Sequence, residues 1–234
     1  MQLITGHRGF VGSRLLKRLP DALVLDKKDG TNLLNCNLPD DVDVVYHLAA
    51  HKDVAESWNE PLVYNENLLT LMRLVQKYPD AKIIHASSCA GDQPETSPYA
   101  FFKKAASDYL RMFHTNYIDL VFPNIFGGLQ KQNSVVDIFK TRDTLVVDDP
   151  TIVRDYVHVE DIATGLVKAS KWAPGVYSMG SGVPITTLQL AEATGKSYTI
   201  GSPRSGGKEP KESIVPNTTP DWVPLVDVLE YIHG

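Results

Sequence analysis

The chain has 234 residues, enough for one large domain or a domain with a small satellite. Its composition is that of an ordinary globular protein and its formal net charge is -5, which argues against a nucleic-acid partner, because phosphate binding needs a basic face. No apolar run is long enough to cross a bilayer and no room precedes the first strand for a signal peptide. The two cysteines, Cys36 and Cys89, read as reduced thiols of a cytoplasmic protein, and no metal is expected.

Leu3-Ile4 opens the chain as a short apolar strand. Thr5-Gly6-His7-Arg8-Gly9-Phe10-Val11-Gly12 follows, and residues 13–19 have helical character. Strand, glycine turn and helix in that order suit a dinucleotide diphosphate. Gly6 turns the chain, Gly9 lets the backbone approach the phosphates, and Gly12 lets the helix pack against the strand. The spacing is G-x-x-G-x-x-G, not the G-x-G-x-x-G fingerprint. Residues 22–25 read as a second strand ending at Asp26. A carboxylate there accepts hydrogen bonds from an adenosine ribose and repels a 2′-phosphate, which favours NAD over NADP. Arg8, Lys27 and Lys28 pull in the opposite direction.

Residues 42–50 predict a strand and a bend of small residues. A helix is expected over 61–76, with Leu68, Leu71, Met72 and Val75 at helical spacing. A strand over 81–86 runs into Ser87-Ser88-Cys89. Ser97-Pro98 opens a helix reaching about residue 114, and 118–122 is a further strand. The alternation indicates a doubly wound parallel sheet. From Gly127 onward, prolines and glycines divide the chain into short pieces that read as a smaller lobe, with 155–171 and 175–179 returning to the main sheet.

Tyr99 and Lys103 are four apart on the predicted helix and share a face. A lysine ammonium near a phenol favours the phenolate, so Tyr99 is expected to have a lowered pKa. Such a tyrosine takes a proton from a substrate hydroxyl while hydride leaves the same carbon. Ser88, at the end of the neighbouring strand, is placed to bond the same oxygen.

Six features now stand in order along most of the chain: the Gly6-Gly9-Gly12 spacing; His47-Leu48-Ala49-Ala50; Ser88 with Tyr99 and Lys103; Phe122-Pro123-Asn124-Ile125-Phe126-Gly127; Arg154-Asp155-Tyr156-Val157-His158-Val159-Glu160-Asp161; and Gly175-Val176-Tyr177-Ser178-Met179-Gly180-Ser181-Gly182. Together they resemble the extended short-chain dehydrogenase/reductase family, in its NAD-dependent nucleotide-sugar epimerase/dehydratase branch. The resemblance implies a Rossmann-type doubly wound α/β sheet with a small C-terminal substrate-binding lobe. The NAD-binding domain would comprise 1–126 plus about 154–181, and the small lobe about 127–153 plus 182–234. Tyr99 would be the acid/base, Lys103 would bind the nicotinamide ribose and tune Tyr99, and Ser88 would hold the reacting sugar oxygen. The implied NAD-binding set is Gly6, Arg8, Gly9, Phe10, Val11, Gly12, Asp26, Lys27, Leu48, Ala49, Ala50 and Asn67, with Tyr99 and Lys103. Asn124, Arg154 and Arg204 would hold the diphosphate of a nucleoside-diphosphate sugar, arginine binding phosphate oxygens through its planar fork. Asp161 and His158 are expected to serve structure.

The departures narrow the chemistry. The interval from Ser88 to Tyr99 is short, which leaves Ser87 as an alternative working serine. Cys89-Ala90 stand where dehydratases and UDP-glucuronate decarboxylases of the branch carry an acid. Epimerase chemistry through a 4-keto sugar needs none, so a UDP-sugar 4-epimerase is the leading reading. A UDP-glucuronate decarboxylase is the nearest alternative. The Gly6–Gly12 stretch and Ser87-Ser88-Cys89 also look like GDP-fucose synthase, an NADPH-using epimerase-reductase of GDP-4-keto-6-deoxy sugars. A dinucleotide-sensing binding protein on the same fold is the non-enzymatic alternative. Members of the branch commonly dimerise through two helices. Here 61–76 and 99–114 would supply them, the second carrying Phe101, Phe102, Ala105, Tyr109, Met112 and Phe113, more apolar surface than one core face needs.

Overall fold

The computed structural model describes residues 1–128, 134–202 and 210–234. They form two compact units, Met1–Val121 with Ala163–Tyr177, and Phe122–Ile162 with Ser178–Gly234. The sequence assigns 122–126, 154–162 and 178–181 to the first lobe, whereas the contacts group them with the second. The reason is local: Asn124–Phe126 pairs in parallel with Tyr156–His158, and Phe126 and His158 share a ring cluster with Tyr231.

The first unit is built on β1 (Gln2–Thr5), β2 (Leu23–Leu25), β3 (Val44–His47), β4 (Lys82–Ser88), β5 (Tyr117–Phe122) and a last strand, Gly175–Ser178. Their order in the sheet is Gly175–Ser178, β5, β4, β3, β1, β2. β1 pairs in parallel with both β2 and β3, and β3 with β4. The chain leaves β1 towards one edge and returns on its other side, so the order reverses between β1 and β3. A crevice at the carboxyl ends of the strands is the ligand position of such sheets at a reversal of this kind. Gly6 and Leu48 are the first residues beyond β1 and β3.

Helices α1 (Gly12–Arg18), α2 (Val54–Asn59), α3 (Glu66–Lys77) and α4 (Pro98–Phe113) belong to this unit. The helix expected over 61–76 begins late. Pro61–Asn65 is a 3₁₀ segment, and α2 precedes it, capped by the Asp53 carboxylate on Glu56 N at 3.0 Å. α3 buries Asn67, Thr70, Leu71, Leu74 and Val75, and α4 buries Ala100, Lys103, Ala106, Ser107 and Leu110, each set on one helical face. Leu71, Leu74, Ala106 and Leu110 meet Leu3, Val45 and Ile83 of the sheet in one core. Lys103 and Ser107 are therefore polar groups on a core face, a position that helical periodicity reserves for apolar side chains.

The link from β2 to β3 crosses β1 with only a 3₁₀ turn, Lys27–Asp29, where a helix is usual. Side chains from the end of α3 and just beyond it hold the link down. The Arg73 guanidinium donates to Leu33 O and Cys36 O, Lys77 pairs with Asp40, and Tyr78 OH donates to Pro39 O at 2.8 Å.

The second unit packs Phe126, Phe139, Leu145, Tyr156, Leu190, Val228 and Ile232 together. Asp155 is fully buried and accepts from Ser181 N, Gly182 N and Val215 N at 3.0, 3.1 and 3.2 Å. Asp161 accepts from Leu225 N and Val226 N, while Trp222 Nε1 donates to its carbonyl at 2.9 Å. A side chain at Gly127 would stand 2.0 Å from the His158 ring. Both Asp161 and His158 are thus engaged in holding the chain.

Arg73→Met removes the charged donors that fix the helix-free link. Unfolding in urea is expected to show a loss of about 2–3 kcal/mol, the weight of charge-assisted bonds to carbonyls that stay partly buried.

Candidate active site

The glycine turn is fixed by two close approaches. Gly6 has φ +76°, and a Cβ there would lie 2.7 Å from Ala49 N. A Cβ on Gly12 would lie 2.2 Å from Gly6 O, so any larger residue would push α1 away from the turn. The turn is tied to both neighbouring strands, Gly6 N donating to Leu25 O at 2.8 Å and Leu48 N to Thr5 O at 3.2 Å. Leu48 and Ala49 are half-buried against the turn and Ala50 is exposed. Phe10 and Val11 are half-buried, with the Arg14 guanidinium 5.2 Å from the Phe10 ring centroid.

Asp26 is buried at the end of β2 and reaches back to this turn. One carboxylate oxygen accepts from Arg8 N at 2.8 Å and the other from Lys28 N at 2.9 Å. Each carboxylate oxygen has a further lone pair. A cradle that a Cβ would fill, beside a buried carboxylate, fits the diphosphate and adenosine ribose of NAD. Arg8 pairs with Asp29, and Lys27 lies 3.7 Å from Glu66. Asn67 is buried, and its carboxamide is bonded to both backbone groups of His51, at 2.8 and 2.9 Å. It fixes the backbone of His51, just after Ala50.

Tyr99 stands in the first turn of α4, after Ser97, which caps Ala100 N at 3.1 Å, and Pro98. The Ser88 hydroxyl accepts from Ala90 N at 3.2 Å and acts on the Tyr99 phenol, opposing the rise of its pKa. Tyr64 meets the Tyr99 ring edge-on, 6.3 Å between centroids. The short interval from Ser88 to Tyr99 is taken up by two 3₁₀ turns, Cys89–Asp92 and Pro94–Thr96. Lys103 is buried, with Nζ donating to Ala86 O at 2.8 Å.

Burial pushes Tyr99 up to about 12, opposed by the nearby Ser88 hydroxyl, and pushes Lys103 down to about 8. This corrects the expectation of a lowered tyrosine: the groups that act on the phenol are Ser88, Cys89 and Tyr64, and removal from water outweighs them.

Strand alternation separates the two serines. Ser87 Oγ lies 2.8 Å from Ser107 Oγ, and Ser107 donates to Asp119 at 3.2 Å. Asp119 also meets His85 Nδ1 at 3.0 Å and Arg111 Nε and Nη2 at 2.9 and 2.6 Å. This buried network under Ser87 has no counterpart in the sequence reading. Ser107 and Arg111 do stand at i+4 and i+8 from Lys103, a polar stripe that marks it afterwards.

In the second unit, Asn124 is exposed and donates through N and Nδ2 to Asp155 O at 3.1 and 3.4 Å. Arg154 is buried, with Nη1 directed to Val153 O at 2.8 Å and Lys211 O at 3.4 Å. Arg204 lies outside the described residues. Among those described, no cluster of three or more His, Cys, Asp or Glu side chains is arranged to hold a metal ion, and no helix is long and apolar enough to cross a membrane.

A reversed-order α/β sheet with a glycine cradle, a strand-end acid and a serine–tyrosine–lysine group defines a dinucleotide-dependent enzyme class. The sequence profile of the NAD dependent epimerase/dehydratase family matches residues 2–180, and the chain belongs to that family. It is 26% identical over 244 residues to a putative UDP-glucose 4-epimerase of Methanocaldococcus jannaschii, covering 81% of this chain and 80% of the relative. It is 29% identical to a UDP-glucose 4-epimerase of Bacillus subtilis, covering 82% and 80%. Among solved structures, UDP-glucose 4-epimerase of Thermotoga maritima with UDP-glucose superposes with a TM-score of 0.81 at 25% identity, over 99% of this chain and 96% of that one. The Thermus thermophilus enzyme in complex with NAD gives 0.74 at 26% identity, over 100% and 97%.

Between pH 8 and 10.5 the unfolded chain holds a proton on Lys103 that the folded chain has released, so this residue's contribution to stability rises with pH across that window. The unfolding free energy of the ligand-free protein minus that of Lys103→Met is expected to rise by up to roughly 3 kcal/mol there, read from urea midpoints. Tyr99 acts oppositely above pH 10 and cancels in the difference.

Proposed function

We propose that this chain is an NAD-dependent nucleotide-sugar 4-epimerase acting on a UDP-sugar. The observation that carries the reading is the convergence of Ser88 on the Tyr99 phenol, with Lys103 buried one helical turn further along α4, in the unit that holds the glycine cradle. The names of the relatives support the UDP-sugar. Bound NAD supplies the hydride acceptor and, on return, the hydride donor. Tyr99 Oη takes the proton of the C4 hydroxyl as hydride leaves C4 and gives it back after the keto sugar has turned over. Ser88 Oγ, which acts on the same phenol, holds the reacting sugar oxygen. Cys89 and Ala90 offer no carboxylate for a C5 proton, which turns the chemistry away from elimination. In this reading the first unit binds NAD, and Asn124 and Arg154 of the second take the substrate diphosphate.

Tyr99→Phe is expected to lower the interconversion of UDP-glucose and UDP-galactose by roughly 10²–10⁴-fold while NAD still binds. Loss of carbon dioxide from UDP-glucuronate without C4 inversion, followed by mass and NMR analysis, would replace this reading with a decarboxylase. Equal inactivity of wild type and variant on every nucleotide sugar would favour a dinucleotide sensor.

The protein works, in this reading, as a cytoplasmic homodimer. Leu62, Leu69, Phe101, Met112 and Phe113 of the α3–α4 region are 79%, 41%, 55%, 74% and 60% exposed, an apolar surface larger than a lone helix pair needs. Light scattering is expected to give twice the chain mass, and Phe101→Glu with Phe113→Glu to give the single mass. A monomeric wild type would sink the dimer.

A further inference from the structure

The basic side chains of the glycine turn are not left facing the ribose acid alone. Asp29, in the 3₁₀ turn that Asp26 caps, meets both: His7 Nε2 lies 3.1 Å from one carboxylate oxygen, and Arg8 Nη1 pairs with the other. Asp26 meanwhile binds Arg8 through its backbone N–H, at 2.8 Å. Arg8 is thus held at both ends, its amide by one acid and its guanidinium by the next. The 2′-phosphate that distinguishes NADP from NAD is accommodated in such folds by a nearby arginine. A turn carrying His7 and Arg8 supplies that arginine, so Asp26 is not sufficient to explain a preference for NAD.

We propose that Asp29 is a second determinant of cofactor choice: by occupying the Arg8 guanidinium, with the His7 ring beside it, it withholds from a 2′-phosphate the charge that would bind it. The proposal rests on the glycine turn being the dinucleotide cradle. Arg8 and Asp29 are half-exposed, at 52% and 39%, so water and salt screen the pair and the effect is modest.

The test is calorimetric titration of the ligand-free protein with NAD+ and with NADP+. Asp29→Asn is expected to raise the affinity ratio of NADP+ to NAD+ by about fivefold, the weight of one exposed charge pair, with NAD+ affinity within twofold of wild type. The gain is expected to shrink as salt is raised and to vanish in the Asp29→Asn, Arg8→Gln double variant. An unchanged ratio, or an equal loss for both dinucleotides, overturns the proposal, as does a gain that survives in the double variant. If wild type binds neither dinucleotide, the cradle itself has been misread; if it binds NAD+ and only the ratio fails to move, the cradle stands and the role of Asp29 falls.

Discussion

The close passage of backbone against backbone at Gly6 is the constraint on which the first unit depends. A Cβ at this position would sit 2.7 Å from Ala49 N, which means that the end of β1 and the segment after β3 touch with nothing between them. That contact is possible only because β1 and β3 are sheet neighbours, and they are neighbours because the chain went to the far edge for β2 and came back. Side chains beneath lock the same pair. Thr5 Oγ1 meets His47 Nδ1 at 2.8 Å and accepts from Ala49 N at 3.4 Å. The cradle is therefore a consequence of strand order, and Gly12 completes it by letting α1 start under Gly6 O.

Charge in this unit is handled in two ways, according to depth. At the surface, each acid near the glycine turn answers two basic side chains: Asp29 meets His7 and Arg8, and Glu66 meets Lys27 and His51. In the interior, Asp119 is fully buried and would be pushed up by loss of water. Its bonds from His85 and Arg111 outweigh that and hold it below the ordinary carboxylate range. Ser107 adds a third donor and passes the network on to Ser87. A buried carboxylate is tolerable only with its lone pairs filled, and these donors from two elements fill them. The network keeps Ser87 on the inner side of β4, and the two-residue period of a strand leaves Ser88 on the side of Tyr99.

These arrangements differ in how visible they are from sequence. The glycine turn, the strand-end Asp26 and the Tyr99–Lys103 pair were legible because each depends on spacing within one short segment. Most strands and the span of α4 were legible from apolar runs and from Ser97-Pro98. The helix-free link before β3 was not. Its stability comes from Arg73, Lys77 and Tyr78, dozens of residues further on, and no local pattern announces a guanidinium aimed at two carbonyls. Asn67 enters the NAD-binding set only through the family resemblance, and its amide is matched to the backbone of His51. The unit boundary failed similarly: the Arg154–Asp161 stretch carries a recognisable pattern, but its strand pairs with Asn124–Phe126, a partner that only the register reveals.

The opposed shifts of Tyr99 and Lys103 share one cause and set the order of events at the site. Burial favours the neutral form of each group, which puts the proton firmly on the phenol and leaves the ammonium near half-neutral at about pH 8. A neutral phenol cannot accept a proton, so the ligand-free pair is a poor base. Ser88 lowers the tyrosine but does not overcome burial. What remains to favour the phenolate is positive charge brought close to it in the same low-dielectric surroundings, where a charge acts more strongly than in water. In the proposed reaction an oxidised nicotinamide would supply that charge. The burial that keeps Tyr99 protonated in the free protein would then also make it responsive to a bound dinucleotide.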